Sequence, residues 1–281
     1  MKPTQEQFLL ALARIETFSP APRVLAKAMT LLRDPLSDIG SIAALVGSDP
    51  ALATEIIRCS NSVYYRSGEP VRSIGDAVQK IGMRETIRML NVAVARLMAG
   101  RDLRSYGLSG DAFWAESLLH GLFLFELAEQ TGKADPDQAY TVGLLRFIGR
   151  LAIDRLMLEH GKPRPSDVSF AVWEETSVGF NQAQAGALLL AKWQFVEEMV
   201  QAVAGQDRPE RLVESSWLAE AMHFASQVLP TGSATSEKQP ELGDLAKAEG
   251  GFMAANDLTL DNVSSVLTTT RQTFGQVRAV F

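Results

Sequence analysis

Few side chains in this chain have the chemistry to act on a substrate. Three histidines, His120, His160 and His223, are the only imidazoles, and Cys59 is the only thiol. A hydrolytic metal needs about three converging nitrogen or oxygen ligands and an open position for water. Glu220 and His223 lie three residues apart, a spacing that brings them together on a helix but supplies only two ligands. His120 falls in a widely apolar helix and reads as a core or interface histidine. His160, next to Gly161, reads as a partner for a helix C-terminus. Cys59 reads as a small core residue, since a lone thiol is usually buried and inert. The strings GxSxG, GxGxxG and GxxxxGK[ST] do not occur, so a serine hydrolase, a Rossmann enzyme and a P-loop NTPase have no support. Arg84, Arg88, Arg96, Arg101 and Arg104 form a locally basic stretch. Arg84 and Arg88 share a helical face, either to attract an anion or simply as a solvated surface.

The elements that would position these residues are helices. The chain has 281 residues, 46% hydrophobic and 21% charged, enough to bury a core without disulfides. Its net charge of −6 argues against nucleic acid as a partner. A single cysteine, no signal-peptide pattern and no apolar run of membrane length predict a cytoplasmic protein with no membrane partner. Thr4 and Gln7 make a capping box ahead of Phe8, Leu9, Leu12 and Ile15, predicting a first helix that Ser19–Pro22 breaks. Asp49 before Pro50, and Ser73 three residues before Asp76, mark two further helix starts. Asp111 to about Gln130 is apolar over a wide arc, which predicts a central helix. Asp135-Pro136 opens the helix that carries Tyr140, Leu144 and Ile148. Residues 229–257 shift to Pro, Gly, Ser, Thr and Glu and predict a linker or loop, with an amphipathic helix over 258–281. No period-2 strand is present. The expected architecture is all-α: a helical domain over 1–228, with parts at about 1–105 and 106–228, then the linker and the last helix.

Several stretches have a familiar order: SPAPRVLAKAMTLLRDP, SDPALATEIIRCSNSVYY, SIGDAVQKIGMRETIRML, FWAES at 113–117, QAYTVGLLRFIGRLAI at 138–153, SVGFNQAQAGALLLAKW and AVAGQDRP. Over roughly residues 10–228 the chain resembles the HDOD family, a branch of the HD metal-dependent phosphohydrolase superfamily. The resemblance implies a multi-helix HD-like bundle and a role in signalling. Active superfamily relatives place adjacent metal ligands in a GLLHDIG-like string; here those two positions are Arg146 and Phe147. Relatives often have histidine where FWAES has Glu116 and where GFNQAQAG has Gln182. Tandem histidines are replaced by Gln206 and Asp207.

The resemblance therefore implies a vestigial pocket formed by Glu116, Arg146, Phe147, Gln182, Gln206 and Asp207, with no catalytic residues, no metal and no other cofactor. Arg146 is expected to replace the metal's charge and to pair with Glu116 or Asp207, while Phe147 fills apolar space. The competing expectation puts Arg146 on the surface after a local shift of register. The implied function is a non-catalytic regulatory output domain of the response-regulator-associated type. Its partners would be signalling proteins such as histidine kinases or receiver domains, or a second copy in a homo-oligomer, with 252–281 as a docking element. The alternatives are a metal-independent sensor of a nucleotide or phosphate ligand and a residual phosphohydrolase.

Overall fold

The computed structural model describes residues 21–62, 65, 70–98, 100, 102–160, 168–229 and 250–280. The helix expected from Thr4 to Ile15 lies outside these residues. Among them the fold is all-α, with one isolated bridge, Leu103 to Leu108, and no strand.

Five helices make the first layer: α1 (Ala21–Arg33), α2 (Ile39–Gly47), α3 (Pro50–Ser60), α4 (Ile74–Ile81) and α5 (Met83–Met98). Their starts follow local chemistry. The Asp49 carboxylate accepts from the Ala51 and Leu52 amides, with Pro50 in the first helical position. The Ser73 hydroxyl accepts from the Asp76 amide. Leu25, Ile42, Leu52, Ile56, Val78 and Leu90 fill the space between these helices, and Cys59 is buried among them. Burial pushes the Cys59 thiol up to about 12, the opposite of what a nucleophile needs.

The second part is built around α6 (Gly110–Thr131), which buries Phe113, Trp114, Leu118, Leu122, Phe123 and Leu127. A helix apolar on most sides belongs in the middle of a domain. Here α6 meets α5 of the first layer, α7 (Pro136–Leu145) and two helices of the C-terminal region. Glycine permits the α6–α7 crossing. A Cβ on Gly143 would lie 2.8 Å from both the Gly121 Cα and the His120 carbonyl oxygen. Next come α8 (Gly149–His160), α9 (Phe170–Val178), α10 (Gln182–Lys192), α11 (Glu197–Gly205) and α12 (Trp217–Val228). The crossing of α8 and α10 is tighter still, because a Cβ on Gly149 would stand 1.9 Å from the Gln182 carbonyl oxygen.

The C-terminal region corrects two expectations. The predicted linker contains a short helix, α13 (Gly250–Ala255). Phe252 stacks on Phe224 of α12 at 4.8 Å, and Asn256 just beyond α13 accepts a 2.7 Å hydrogen bond from the Trp217 indole. These contacts outweigh the poor helix propensity of Gly250 and Gly251. The last helix, α14 (Leu260–Val280), was expected to offer a docking face. Instead it buries Val263, Val266, Leu267 and Thr270, and it packs against α6 of its own chain. No helix among the described residues is long and apolar enough to cross a membrane.

Candidate functional site

The GLLRFIGR string forms the junction between α7 and α8. Arg146 follows the last residue of α7, and the chain then turns through hydrogen bonds from the Ile148 amide to the Leu145 carbonyl and from the Arg150 amide to the Phe147 carbonyl. This turn directs three side chains inward: Arg146, Phe147 and, one helical turn later, Arg150.

Arg146 is 2% exposed, so the expectation of a surface arginine fails. The expected carboxylate partner is also absent. Nε donates to Gln206 Oε1 at 3.0 Å, Nη1 to His120 Nδ1 and to the Met222 carbonyl, both at 2.9 Å, and Nη2 to Ser226 Oγ at 2.8 Å. All four acceptors are uncharged. Gln206 is fully buried, and its amide also donates to the carbonyl of Arg146 itself and to that of Val203. Burial lowers the Arg146 guanidinium to about 10, so it remains a cation at neutral pH.

His120 is fully buried, and desolvation, with Arg146 and then Arg150 nearby, holds its ring well below the ordinary histidine value. The ring is therefore neutral. A neutral imidazole accepting at Nδ1 carries its proton on Nε2, and that nitrogen has no partner. The expectation of a satisfied core histidine holds at one nitrogen only.

The ion pair of the site belongs to Arg150. Its Nη1 donates to Glu116 Oε2 at 2.9 Å, with the two side chains 6% and 4% exposed. Phe147 is buried between the two cations, its ring centre 4.0 Å from the Arg150 guanidinium carbon and 4.7 Å from that of Arg146. The edge of the His120 ring meets Phe147 at a centroid distance of 5.0 Å. Phe147 fills apolar space, and it also presents an aromatic face to two charges.

Gln182 begins α10, and its backbone amide donates to Glu174 Oε2 at 2.8 Å, while its own Oε1 is buried without a partner. Glu174, fully buried on α9, also accepts from the Tyr106 hydroxyl at 2.8 Å. Burial raises its carboxyl to about 7, against the pull of these two hydrogen bonds and of Arg150. Asp207 is exposed and makes no ion pair with Arg146. Desolvation of its carboxyl on the side that faces the protein raises it, and Arg146, then His223, draw it back down. Among the described residues no three His, Cys, Asp or Glu side chains converge as a metal-binding group.

The resemblance therefore names six positions of one neighbourhood, but the contacts are made by others as well: Arg150, His120, Ser226, Glu174 and Tyr106. Two of these had a signal in the sequence. Arg150 is four residues from Arg146, and His120 is four from Glu116, the spacing of helical neighbours. In the basic stretch Arg84 is a solvated side chain, 67% exposed, and with Arg88 it attracts an anionic group of the same chain. Both guanidiniums converge on the Asp137 carboxylate of α7, at 3.0 and 2.9 Å.

Comparisons with known proteins agree with this architecture. The model of the HDOD domain matches residues 18–209. An uncharacterized protein of Treponema pallidum (strain Nichols) is 24% identical over 196 residues, a match covering 68% of this chain but 37% of that protein. The chain thus spans well under half the length of this curated relative. Among solved structures, an HDOD domain protein of unknown function from Geobacter sulfurreducens superimposes with a TM-score of 0.67 over 99% of both chains, at 18% identity. A candidate signal transduction protein from Marinobacter aquaeolei VT8 gives 0.72 at 19% identity, over 98% of this chain and 64% of that one. A candidate phosphohydrolase from Shewanella amazonensis SB2B gives 0.64 at 22% identity, over 92% and 93%. At these identities the structures establish the fold. With two thirds of its length matched by the family model, the chain belongs to the HDOD family.

Proposed function

We propose that this HDOD protein is a non-catalytic regulatory module of signal transduction, acting through protein–protein contacts rather than turnover. One observation carries the reading. At the two positions where the resemblance implies adjacent metal ligands, this chain buries a guanidinium, Arg146, and a phenyl ring, Phe147, with a second guanidinium, Arg150, against that ring. A divalent ion needs several anionic or neutral donors around it, and this donor set does not fit one. Glu116 is already paired with Arg150, and the four donated hydrogen bonds of Arg146 hold it against the protein. The signalling name of the Marinobacter relative supports the same assignment.

The sensor alternative has weaker support at this pocket. An arginine has five N–H donors, and four hydrogen bonds already tie Arg146 to protein acceptors, which leaves little for a bidentate phosphate.

The test has two arms. Purified protein is assayed for bound metal and for hydrolysis of bis(p-nitrophenyl) phosphate with added Mn²⁺ or Fe²⁺. The expected result is no turnover above the buffer blank; turnover that Glu116→Ala abolishes would overturn the reading. A pull-down against histidine kinases and receiver-bearing proteins is expected to retain a specific partner, equally with and without added metal.

A further inference from the structure

A cavity of about 230 Å³ lies where α5, α6, α7 and α14 meet, and none of the side chains around Arg146 lines it. Its apolar wall comes from Met89, Val92, Leu122, Phe125 and Val277. Its polar groups fall into two sets. Arg88 and Glu85 are engaged: Arg88 holds Asp137 at 2.9 Å and Glu85 at 3.5 Å and lies over the Phe125 ring at 4.5 Å, while the Tyr65 hydroxyl donates to Glu85 at 2.6 Å. Glu126 and Tyr140 are not. Among the described residues neither has a hydrogen bond or ion pair, although Tyr140 is only 4% exposed and Glu126 is partly buried. Tyr140 lines the cavity without a protein partner, and a half-buried carboxylate without a counter-ion is expensive. Burial and the neighbouring Glu129 hold the Glu126 carboxyl above its ordinary value.

The charge around the cavity has one sign in excess. Among the described residues Glu85 and Glu126 face a single lining cation, Arg88, which shares the Asp137 carboxylate with Arg84 and also contacts Glu85. Among the described residues an anionic ligand would find no unpaired positive group there. We propose that this cavity binds a small organic cation, a protonated amine or guanidine on an apolar body, with Glu126 as its counter-ion, Tyr140 as a polar anchor and Phe125, Met89 and Val277 around the body. The volume suits a ligand smaller than a typical drug, for which pockets run to about 300 Å³ or more. Walls from both α5 and α14 mean that the ligand ties the first helical layer to the C-terminal helix. This site is independent of the pocket around Arg146 and goes beyond the signalling role proposed above.

The experiment is calorimetric titration of the full chain at pH 7.5 with phenethylammonium, agmatine, 2-phenylethanol and phenylacetate. Saturable one-site binding is expected for at least one of the two cations. Binding should be at least tenfold weaker for the neutral alcohol and undetectable for phenylacetate. Glu126→Gln should lower cation affinity at least tenfold, and Tyr140→Phe should lower it severalfold, both with an unchanged far-ultraviolet spectrum. The proposal fails if neither cation saturates, if phenylacetate binds as well as phenethylammonium, or if natively folded Glu126→Gln binds like the wild type. Should a variant misfold, the comparison of cation, alcohol and anion on the wild type still decides the matter.

Discussion

The buried pair of Glu116 and Arg150 makes a quantitative prediction. Its nitrogen–oxygen distance is 2.9 Å, and neither side chain is more than 6% exposed. Two unit charges about 4 Å apart attract by about 4 kcal/mol at an effective dielectric constant of about 20. Removing one partner also leaves the other charge buried, so Glu116→Leu or Arg150→Met alone should destabilise the protein by about 3–5 kcal/mol. Methionine keeps apolar bulk against the Phe147 ring, which now lies 4.0 Å from the guanidinium carbon. The double variant buries no charge at these positions and should return to within about 2 kcal/mol of the wild type. A double-mutant cycle from urea unfolding, followed by circular dichroism at pH 7.5 with an unchanged slope, should therefore give an interaction energy of about 3 kcal/mol or more. A value below about 1 kcal/mol is what exposed pairs give. It would mean that Glu116 and Arg150 are not mutual counter-ions in solution, and the electrostatic account of the site would fall with it.

Three further predictions rest on separate features. Gly149→Ala would put a Cβ 1.9 Å from the Gln182 carbonyl oxygen and 2.6 Å from the Gly186 amide, both backbone atoms, so urea unfolding should show a loss of about 3 kcal/mol or more. Glu174, with a carboxyl at about 7 against an ordinary 4.5, keeps a proton in the folded state that the unfolded chain has released. Between pH 4.5 and 7 the folded form binds more protons, so its contribution to stability falls as pH rises through that window, by about 3 kcal/mol in all. Urea midpoints from pH 5 to 8 should show Glu174→Gln gaining stability relative to the wild type with rising pH; a constant difference would refute this. Asp137→Ala leaves Arg88 without its main counter-ion and should cost about 2–3 kcal/mol, whereas Arg84→Ala, at a side chain 67% exposed, should cost less than about 1 kcal/mol.

Local chemistry made most of the helices legible before the structure was known. Asp49-Pro50 and Ser73 cap the helices they were expected to start, because a cap depends only on residues within one turn. The wide apolar arc of residues 111–130 placed α6 at the centre for a similar reason, since a helix that is apolar on most sides has to be enclosed. The short helix α13 was hidden because it is six residues long and opens on two glycines, and its support comes from Phe224 and Trp217, more than twenty residues earlier. The fate of α14 was hidden for another reason. A stripe of Val263, Val266 and Leu267 looks the same whether a partner protein or α6 covers it.

The partner of Arg146 was the least legible feature, and its geometry follows from how a buried cation is satisfied. Two carboxylates near a permanent cation suggest an ion pair when only residue types are known. In the fold, Arg150, the second residue of α8, takes Glu116, while Asp207 stays at the exposed rim. Arg146 is left with acceptors that carry no charge: an amide, a hydroxyl, a backbone carbonyl and an imidazole. A guanidinium spreads its charge over several N–H groups, so several neutral acceptors can hold it where one carboxylate would also have to be desolvated. His120 completes this arrangement only while neutral, since a protonated ring has no lone pair for Nη1 and would add a third positive charge beside Arg146 and Arg150.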